Sequence, residues 1–316
     1  MRNFLALPIA LGLAGFGSGV AFAGTINPST ALQDFNAIVY TNASTPSDIE
    51  GAVVVGGNFS GATVYNNPTA GQTQPAGYGA LTVFGSTSGN PINIDNGGSA
   101  YVGGTSGAIV NFNGGGGFYT NPPSASISDY ETAFDNLSTS LSQLTATSTL
   151  PTPGNNEAIT ATPGANGIAV FDITAAQLSQ IPSYTMNMNG AATVIINVSG
   201  TSATFNANDE SGTLGANNII WNFYQATSVS LDTQIAGTVL ATGANVTNQN
   251  QIDGDLIANS WTGSGELHDW AFDGPLPSTS GGGSVASAPE PASLALLGAG
   301  LVALGYARRR GLSIPR

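Results

Sequence analysis

The sequence contains no cysteine and no lysine, and both absences restrict what the protein can be. Without cysteine the fold cannot use disulfide bonds, on which small secreted domains commonly depend for stability. Residues 24–288 alone are long enough to bury a hydrophobic core without such crosslinks. The stability of this chain must therefore come from packing and hydrogen bonding.

Positive charge is almost absent and is confined to the ends of the chain. All five basic residues lie there, namely Arg2, Arg308, Arg309, Arg310 and Arg316. Residues 24–288 contain no lysine or arginine but hold seventeen of the 18 acidic residues. His268 is the only side chain in that region that can become cationic. Such a region cannot neutralise phosphates, which excludes nucleic-acid binding and disfavours attraction to anionic lipid.

The remaining composition indicates a folded, β-rich domain. Charged residues make up 7% of the chain and hydrophobic residues 41%, many of them Val, Ile, Leu, Phe and Tyr, and this balance favours strands over disorder. The 43 glycines are scattered between short apolar runs rather than collected in one linker. This distribution predicts many tight turns.

Three segments share the pattern Ile-x-Gly-x-apolar-apolar-small, and they suggest stacked strands. The segments are residues 49–55, 235–241 and 252–258, and the last two begin seventeen residues apart. That spacing suits one coil of a β-solenoid. Further short strands are predicted over residues 81–84, 100–102, 108–112, 193–198 and 219–224. We therefore predict a mostly β fold, with a β-solenoid favoured by the repeated pattern and a β-sandwich as the alternative.

One segment has helical periodicity instead. An apolar stripe predicts a helix from Ser128 to Leu144; its members are Tyr130, Ala133, Phe134, Leu137, Leu141 and Leu144. Ser128 and Glu131 form a capping-box pattern at its start, and two prolines within residues 145–153 end it. A single amphipathic helix among strands needs an apolar groove, which the flank of a solenoid provides.

The N-terminus has the features of a secretory signal peptide over residues 1–23. Arg2 supplies a short positive region, residues 4–20 are apolar, and Ala21 and Ala23 frame an A-x-A cleavage site. We therefore predict export of the chain, with cleavage after Ala23.

The C-terminus carries a Gly/Ser linker, residues 278–288, and then a compact tail, residues 289–316. The tail consists of Pro289, Glu290 and Pro291, sixteen uncharged residues, and Arg308, Arg309 and Arg310. It resembles the PEP-CTERM sorting signal. The resemblance implies an exosortase-type processing enzyme as a partner, transient anchoring in the inner membrane of a Gram-negative bacterium, and delivery to the cell surface or extracellular matrix. As a helix the apolar segment spans roughly 24 Å, short of the ~30 Å hydrocarbon core, so a removable handle is favoured and a permanent span stays open.

Residues 24–277 are predicted to form one domain, and its two ends resemble the choice-of-anchor A family, an extracellular module found with several types of surface anchor. The matching stretches are residues 31–36 and 47–58 at the start and residues 235–268 at the end. The order of helix and strands is also similar to that of ice-binding-like adhesins. This second resemblance implies a discontinuous right-handed β-solenoid with one long α-helix packed alongside, and it does not imply ice binding.

Few residues suggest catalysis or metal binding. Asp253 and Asp255 would suit a glycoside hydrolase only if they faced a substrate from two sides, and we interpret them as a solvent-facing pair at a turn. His268 lies near three carboxylates, those of Glu266, Asp269 and Asp273, but no second histidine or cysteine accompanies it. We predict no catalytic residue, no metal site and no cofactor.

Binding remains the alternative to a purely structural role. Ice binding needs regularly spaced small and hydroxyl side chains on a flat face, and Thr238, Thr242 and Thr247 are scattered candidates. Four aromatic residues offer stacking surfaces for sugars but are mostly predicted to be core: Trp221, Tyr224, Trp261 and Trp270. We predict an exported, non-enzymatic surface or matrix adhesin that contacts extracellular polysaccharide or other surface components, with polysaccharide or ice binding as the alternative function.

Overall fold

The structure is a computed structural model of the 316-residue chain, and it describes residues 26–65, 77–121, 123, 125–151 and 156–277. The predicted signal peptide, the Gly/Ser linker and the sorting signal lie outside these residues. Within them the fold is mostly β, with parallel sheets and few helices.

The strands of the described residues form three sheets. The large sheet contains β1 Ala37–Val39, β2 Ala43–Ser44, β4 Val53–Val55, β5 Phe59–Ser60, β7 Leu81–Val83, β9 Ala100–Val102, β11 Phe118–Tyr119, β13 Ile168–Thr174, β15 Thr193–Ser199, β16 Ser202–Phe205, β18 Ile219–Asn222, β19 Ser228–Leu231, β21 Thr238–Asn248 and β23 Leu256–Gly263. The seven-stranded sheet contains β3 Asp48–Ile49, β6 Thr63–Val64, β8 Ile92–Ile94, β10 Val110–Phe112, β20 Ile235–Ala236, β22 Ile252–Asp253 and β24 Leu267–His268. The third sheet contains β12 Glu157–Thr160, β14 Ser183–Asn187 and β17 Asn208–Asp209. The helices are α1 Pro28–Asp34, α2 Ile127–Ser142, α3 Ala175–Leu178 and a 3-10 turn Ala216–Asn218.

Every pairing between these strands is parallel. The β-sandwich alternative is therefore wrong, because sandwiches of that kind are built from antiparallel strands. The five predicted strands correspond to β7, β9, β10, β15 and β18. Residues 32–40 contain the end of α1 and all of β1.

The order of the strands shows how the chain fills the stack. In the large sheet the order is β11-β9-β7-β4-β1-β23-β21-β18-β15-β13. The chain begins in the middle of the stack at β1, runs outward to β11, continues through α2 to the opposite end at β13, and returns to β23. There the first and last parts of the domain join, with Ala37 to Val39 paired in register with Leu256 to Ala258.

The repeated sequence pattern marks strands that stack directly on one another. Ile235 pairs with Ile252, and Val239 pairs with Leu256, each seventeen residues apart as predicted. The backbone conformation explains why the pattern has glycine at this position in the last two segments. Gly237 has φ 116° and Gly254 has φ 155°, values that residues with a Cβ rarely adopt. A Cβ on Gly254 would also collide with the backbone of Gly237 in the neighbouring layer.

Two hydrophobic clusters cover both surfaces of the part of the large sheet that contains β1, β4, β15 and β18. Val53 and Val55 belong to the cluster enclosed between the sheets, whereas Val54 belongs to the cluster beneath the helices. Strands buried on both faces read as continuous apolar runs, which explains the uninterrupted Val53 to Val55. The outer cluster contains the buried stripe of α2, including Phe134, which is 0% exposed, and Leu137 at 2%.

Helix α2 starts earlier than its sequence pattern predicts. The N-cap is Ser126, and its backbone N–H donates to the Asp129 carboxylate at 2.8 Å, so the predicted cap of Ser128 with Glu131 is wrong. Both serines are followed by an acid three residues later, so the motif alone does not distinguish them.

A buried polar network fixes the helix against the sheet. Asn222 and Asn197 occupy equivalent positions on the neighbouring strands β18 and β15. The Asn222 side-chain amide donates to Ser138 O at 2.9 Å, and that of Asn197 donates to Leu141 O at 2.9 Å. These bonds attach two helix carbonyls to successive strands.

Candidate functional site

One surface of the large sheet is open to solvent and carries two parallel columns of small polar side chains. It is formed by β16, β19, the second halves of β21 and β23, and then β2 and β5. We call this surface the hydroxyl face. The long column contains Thr204, Ser230, Thr247, Thr262, Ser44 and Ser60, and the short column contains Ser202, Ser228, Asn245 and Ser260.

The columns are straight because the strand registers are continuous. In the long column each residue is the direct register partner of the next across six strands. Neighbouring strands lie about 4.8 Å apart, so this column extends for about 24 Å. The short column lies two residues away along each strand, at a separation of about 6.7 Å. The face therefore repeats in two directions.

The residues between the two columns hold the face rigid from below. Ala203, Val229, Val246 and Trp261 alternate with the column residues and are at most 4% exposed. Because successive side chains on a strand point to opposite sides, the column residues must point outward. Trp261 is fixed further, since its indole N–H donates to Asn248 Oδ1 at 2.8 Å.

The chemistry of the face is uncharged and rich in hydroxyls. Nine of its ten column residues are Ser or Thr and the tenth is Asn245, so each can both donate and accept hydrogen bonds. Some of this capacity is used within the face: Ser260 Oγ donates to Asn245 Oδ1 at 2.6 Å, and Thr247 Oγ1 lies 3.5 Å from Ser230 Oγ. Ser230 Oγ also donates to Asp232 Oδ1 at 2.6 Å, beside the long column. The column residues otherwise form a surface that repeats from strand to strand.

The three threonines suggested by the sequence are divided by the structure. Thr247 lies on the hydroxyl face and is exposed, whereas Thr242 is half-buried and outside the columns. Thr238 is 0% exposed and donates to Asp255 Oδ2 at 3.1 Å. Sequence reasoning missed the other column members because they recur at unequal chain intervals. Strand register, which the sequence does not display, brings them together.

His268 sits between two carboxylates on the seven-stranded sheet. Its Nδ1 lies 2.5 Å from Asp253 Oδ1, and its Nε2 lies 3.0 Å from Glu266 Oε2. Each ring nitrogen faces a carboxylate oxygen, an arrangement that favours the protonated imidazole because both of its nitrogens can then donate. Partial burial acts to lower the pKa of His268, but the hydrogen bonds to Glu266 and Asp253 and the charges of Asp253 and Glu50 outweigh it and raise the pKa. The imidazolium neutralises carboxylates at the layer where the first and last parts of the chain meet.

A polar cavity of about 300 Å³ lies beside this histidine. It is lined by Ser47, Gln249, Asn250, Gln251, Ser264, Gly265, Glu266 and His268. Its lining is open and hydrophilic, and Glu266 is already committed to His268. The cavity is therefore a polar recess at the surface of the fold.

The interpretation of Asp253 and Asp255 as a solvent-facing pair is wrong. Asp253 is 1% exposed and is bonded by His268 and by the side-chain amide of Gln234. Asp255 is 0% exposed, and its Oδ2 accepts from Thr238 Oγ1 at 3.1 Å and from the Phe272 N–H at 3.0 Å. Burial, together with the charge of Asp269, holds the pKa of Asp255 well above its usual range. Both carboxyl groups are internal, so neither is placed to attack a substrate.

The aromatic residues behave largely as predicted. Trp221 and Trp261 are both 1% exposed, and Trp221 packs edge-on against Phe205 at a centroid distance of 5.2 Å. Tyr224 is half-buried. Trp270, at 42% exposure, is the member of the group that remains open to solvent.

Within the described ranges, no group of three or more His, Asp or Glu side chains is arranged to hold a metal ion. In the same part of the chain, no helix is both long enough and apolar enough to cross a membrane. The predicted cleavage residues Ala21 and Ala23 and the predicted sorting residues lie outside the described residues. The latter are Pro289, Glu290, Pro291, Arg308, Arg309 and Arg310.

Comparison with solved structures returns ice-binding proteins of low similarity. A protein from an Antarctic biological consortium has 13% identity and a TM-score of 0.36, with 84% of this chain and 94% of the other covered. A protein from an Antarctic Flavobacteriaceae bacterium has 12% identity and a TM-score of 0.32, with 73% and 78% covered. One from the Antarctic ascomycete Antarctomyces psychrotrophicus has 16% identity and a TM-score of 0.28, with 75% and 95% covered. No curated protein matches the chain.

Two family profiles match the sequence, and both agree with the resemblances seen in the sequence. Residues 287–310 match the PEP-CTERM protein-sorting motif. Residues 28–269 match a profile described as "Putative Ice-binding-like adhesive domain", an adhesive rather than a catalytic family. A sorting motif joined to an adhesive domain indicates an exported cell-surface protein. Because the second match covers most of the chain, the protein belongs to the ice-binding-like adhesive domain family.

Proposed function

We propose that the protein is an exported, non-enzymatic adhesin or structural component of the cell surface or extracellular matrix, sorted by an exosortase-type enzyme. The observation that carries this proposal is the union, in one chain, of an adhesive-family domain and a C-terminal sorting motif. In this scheme the chain consists of a signal peptide (1–23), an adhesive domain (24–277), a linker (278–288) and a sorting tail (289–316). The parallel registers and the strand order support a discontinuous right-handed β-solenoid, with α2 as the helix alongside it.

The sorting tail acts as a temporary handle in this proposal. Its apolar segment would hold the chain in the inner membrane of a Gram-negative bacterium until the processing enzyme cuts near Pro289, Glu290 and Pro291. Replacing these three residues by alanine should leave an uncut, membrane-retained chain of higher mass. Replacing Arg316 by alanine is the matched control and should leave processing unchanged. If intact-mass measurements showed normal processing of the triple variant, the sorting proposal would be contradicted. The proposed adhesive function would not be affected by that result.

The hydroxyl face is the proposed contact surface for extracellular polysaccharide. Columns of hydroxyl groups, each able to donate and to accept, can bond the hydroxyl groups of a neutral sugar chain. Such binding does not require charge complementarity, which an acidic protein cannot offer to acidic polymers. Many weak bonds along about 24 Å would act together, so disrupting the flatness should weaken binding strongly.

Cosedimentation with purified matrix polysaccharide tests this role of the face. A Thr247→Tyr and Thr262→Tyr double variant places two bulky rings in the long column, and affinity should fall about tenfold or more. Thr139→Tyr, on the exposed side of α2, is the control and should bind like the unmodified protein. Equal binding by all three proteins would exclude the hydroxyl face as the contact surface.

Ice is the second candidate ligand, because the same two-dimensional regularity suits a crystalline surface and the family description names ice binding. Thermal hysteresis measurements on the same three proteins distinguish the two ligands. Hysteresis that is lost in the double variant and kept in Thr139→Tyr would favour ice over polysaccharide. No hysteresis and no polysaccharide binding would leave a structural role.

The absence of enzymatic activity is also part of the proposal. Asp253, Asp255 and His268 make internal bonds, which supports a structural role for each. Turnover of a polysaccharide by the purified protein that disappears in Asp253→Asn would contradict it.

A further inference from the structure

The stack has one end at which both main sheets finish with an unpaired strand. β11 is the terminal strand of the large sheet and β10 is the terminal strand of the seven-stranded sheet. Within the described residues, no strand pairs with the outer edge of either one. An unpaired edge presents a row of backbone N–H and C=O groups that can bind another strand.

Large apolar side chains are exposed at this same end. Ile109 is 67% exposed, Phe118 is 39% exposed and Tyr119 is 49% exposed. The ring of Tyr119 stacks on Tyr101 of the preceding layer, with centroids 4.9 Å apart and planes inclined by 19°. The aromatic column therefore ends at the surface, where a further aromatic layer could continue it.

β10 and β11 themselves contain neither charged residues nor proline, although Pro122 and Pro123 follow β11 in the sequence. Natural edge strands carry charges or prolines that block association. No charged residue occurs between Asp95 and Asp129, a stretch that includes β9, β10 and β11. The chain as a whole has a formal net charge of −13, and the acid beside this end, Asp95, lies one layer behind the edge and is bonded by the Asn113 side-chain amide at 2.6 Å. Two copies can therefore approach here with little repulsion.

The opposite end of the stack is different, and this difference decides the geometry of association. There the edge strand β13 is bonded by residues from the preceding loop, since the N–H groups of Thr147 and Ser148 both donate to Val170 O. That end also carries charge, with Asp172 on β13 and Glu157 on β12. Head-to-tail growth is therefore blocked, whereas two identical open ends can meet and close as a dimer.

We propose that the mature protein forms a symmetric end-to-end dimer in which the β10 and β11 end of one chain binds the same end of a second copy. A partner for this end must offer a free backbone edge and apolar surface without charge, and an identical end offers all three. Two identical edges related by a twofold axis meet as antiparallel strands, and the free outer edge of β11 permits such pairing. A dimer places two adhesive domains in one particle, which raises avidity for any repetitive surface. The inference depends on the edge strands and not on the proposed ligand.

Sedimentation velocity on the mature protein, purified after export of the full chain, tests the proposal. The unmodified protein should show a concentration-dependent monomer–dimer equilibrium. Phe118→Lys should weaken association about tenfold or more, because the substitution brings like charges together at a symmetric contact. Leu214→Lys is the matched control, since Leu214 is also exposed, at 65%, but lies away from this end. It should dimerise normally.

A mixing experiment distinguishes a specific contact from damage to the fold. Phe118→Lys and Phe118→Glu should each be monomeric and should form a heterodimer when mixed, because opposite charges then meet across the interface. A monomeric unmodified protein, a Phe118→Lys variant that still dimerises, or no recovery on mixing would each overturn the proposal.

Discussion

The contact between Asn222 and helix α2 allows the strength of the helix-to-sheet attachment to be predicted. The Asn222 side chain accepts from Ser138 Oγ at 2.6 Å and donates to Ser138 O and to Asn197 Oδ1, each at 2.9 Å. Asn222 is 0% exposed, Asn197 2% and Ser138 3%, so water cannot replace a lost partner without a change in structure. The perturbation to make is Asn222→Ala.

The expected destabilisation follows from the bonds that this substitution removes. Three hydrogen bonds contribute about 1 kcal/mol each, and leaving the Ser138 hydroxyl and the Asn197 carbonyl without their partners costs about 1–3 kcal/mol more. We expect a loss of about 4–6 kcal/mol in the free energy of unfolding. Ser138→Ala removes one of these bonds and leaves only Asn222 Oδ1 without its donor, so it should cost about 1–3 kcal/mol.

Urea unfolding followed by tryptophan fluorescence measures these losses, and a double-mutant cycle tests their common origin. Since the two residues share bonds, the Ser138→Ala and Asn222→Ala double variant should lose about 0.5–3 kcal/mol less than the sum of the single variants. Asn136→Ala, at an exposed position of the same helix, should change stability by less than about 0.5 kcal/mol. If Asn222→Ala cost less than about 0.5 kcal/mol, or if the two single losses simply added up in the double variant, Asn222 would not attach α2 to the sheet through Ser138.

Three further variants test other parts of the fold. Phe134→Ala should cost about 3–5 kcal/mol, because the ring is 0% exposed and its removal leaves a cavity beneath α2, as urea unfolding would show. Asp255→Asn should raise the melting temperature at pH 7 and leave it unchanged at pH 3. The reason is that the pKa of Asp255 is higher in the folded protein than the ordinary value of 3.8, so the unmodified protein loses stability as the pH rises above 3.8. The pKa of His268 is also raised in the folded protein, so the unmodified protein should lose stability as the pH rises above about 6.5. His268→Gln should remove that loss, which melting curves from pH 5 to 9 would show.

Each of these variants has a clear contrary outcome. A Phe134→Ala protein as stable as the unmodified one would mean that α2 is not held by its apolar stripe. Equal melting temperatures of Asp255→Asn and the unmodified protein at pH 7 would mean that the buried carboxyl group carries no cost there. An unchanged pH profile in His268→Gln would show that the imidazolium between Asp253 and Glu266 does not stabilise the layer.

Local patterns in the sequence predicted much of the fold. The stripe of Phe134, Leu137 and Leu141 defines a helix whose start differs by one residue, because helical periodicity depends only on near neighbours. The seventeen-residue spacing of the Ile-x-Gly pattern predicted two strands that stack in register. The sorting motif was likewise readable from the sequence, since such signals are recognised as linear sequences.

The hydroxyl face and the burial of Asp253 and Asp255 could not be predicted in the same way. Ser44 and Thr262 are register partners although 218 positions separate them, and β1 joins β23 across a similar distance. Nor did the sequence indicate that Asp253 and Asp255 are buried, because their spacing suits a solvent-exposed turn equally well.

The sequence by itself determined the charge, the sorting motif, the helix and the strand-rich composition, all of which depend on residue type and local spacing. Tertiary structure alone decided which hydroxyl groups form columns, which carboxylates enclose His268 and which end of the stack stays open. The physical reason is that register between distant strands is set by the packing of buried side chains on both surfaces of the sheet. A surface residue such as Ser44 is placed by the burial of its neighbour Ala43, and carries no signal of its own position.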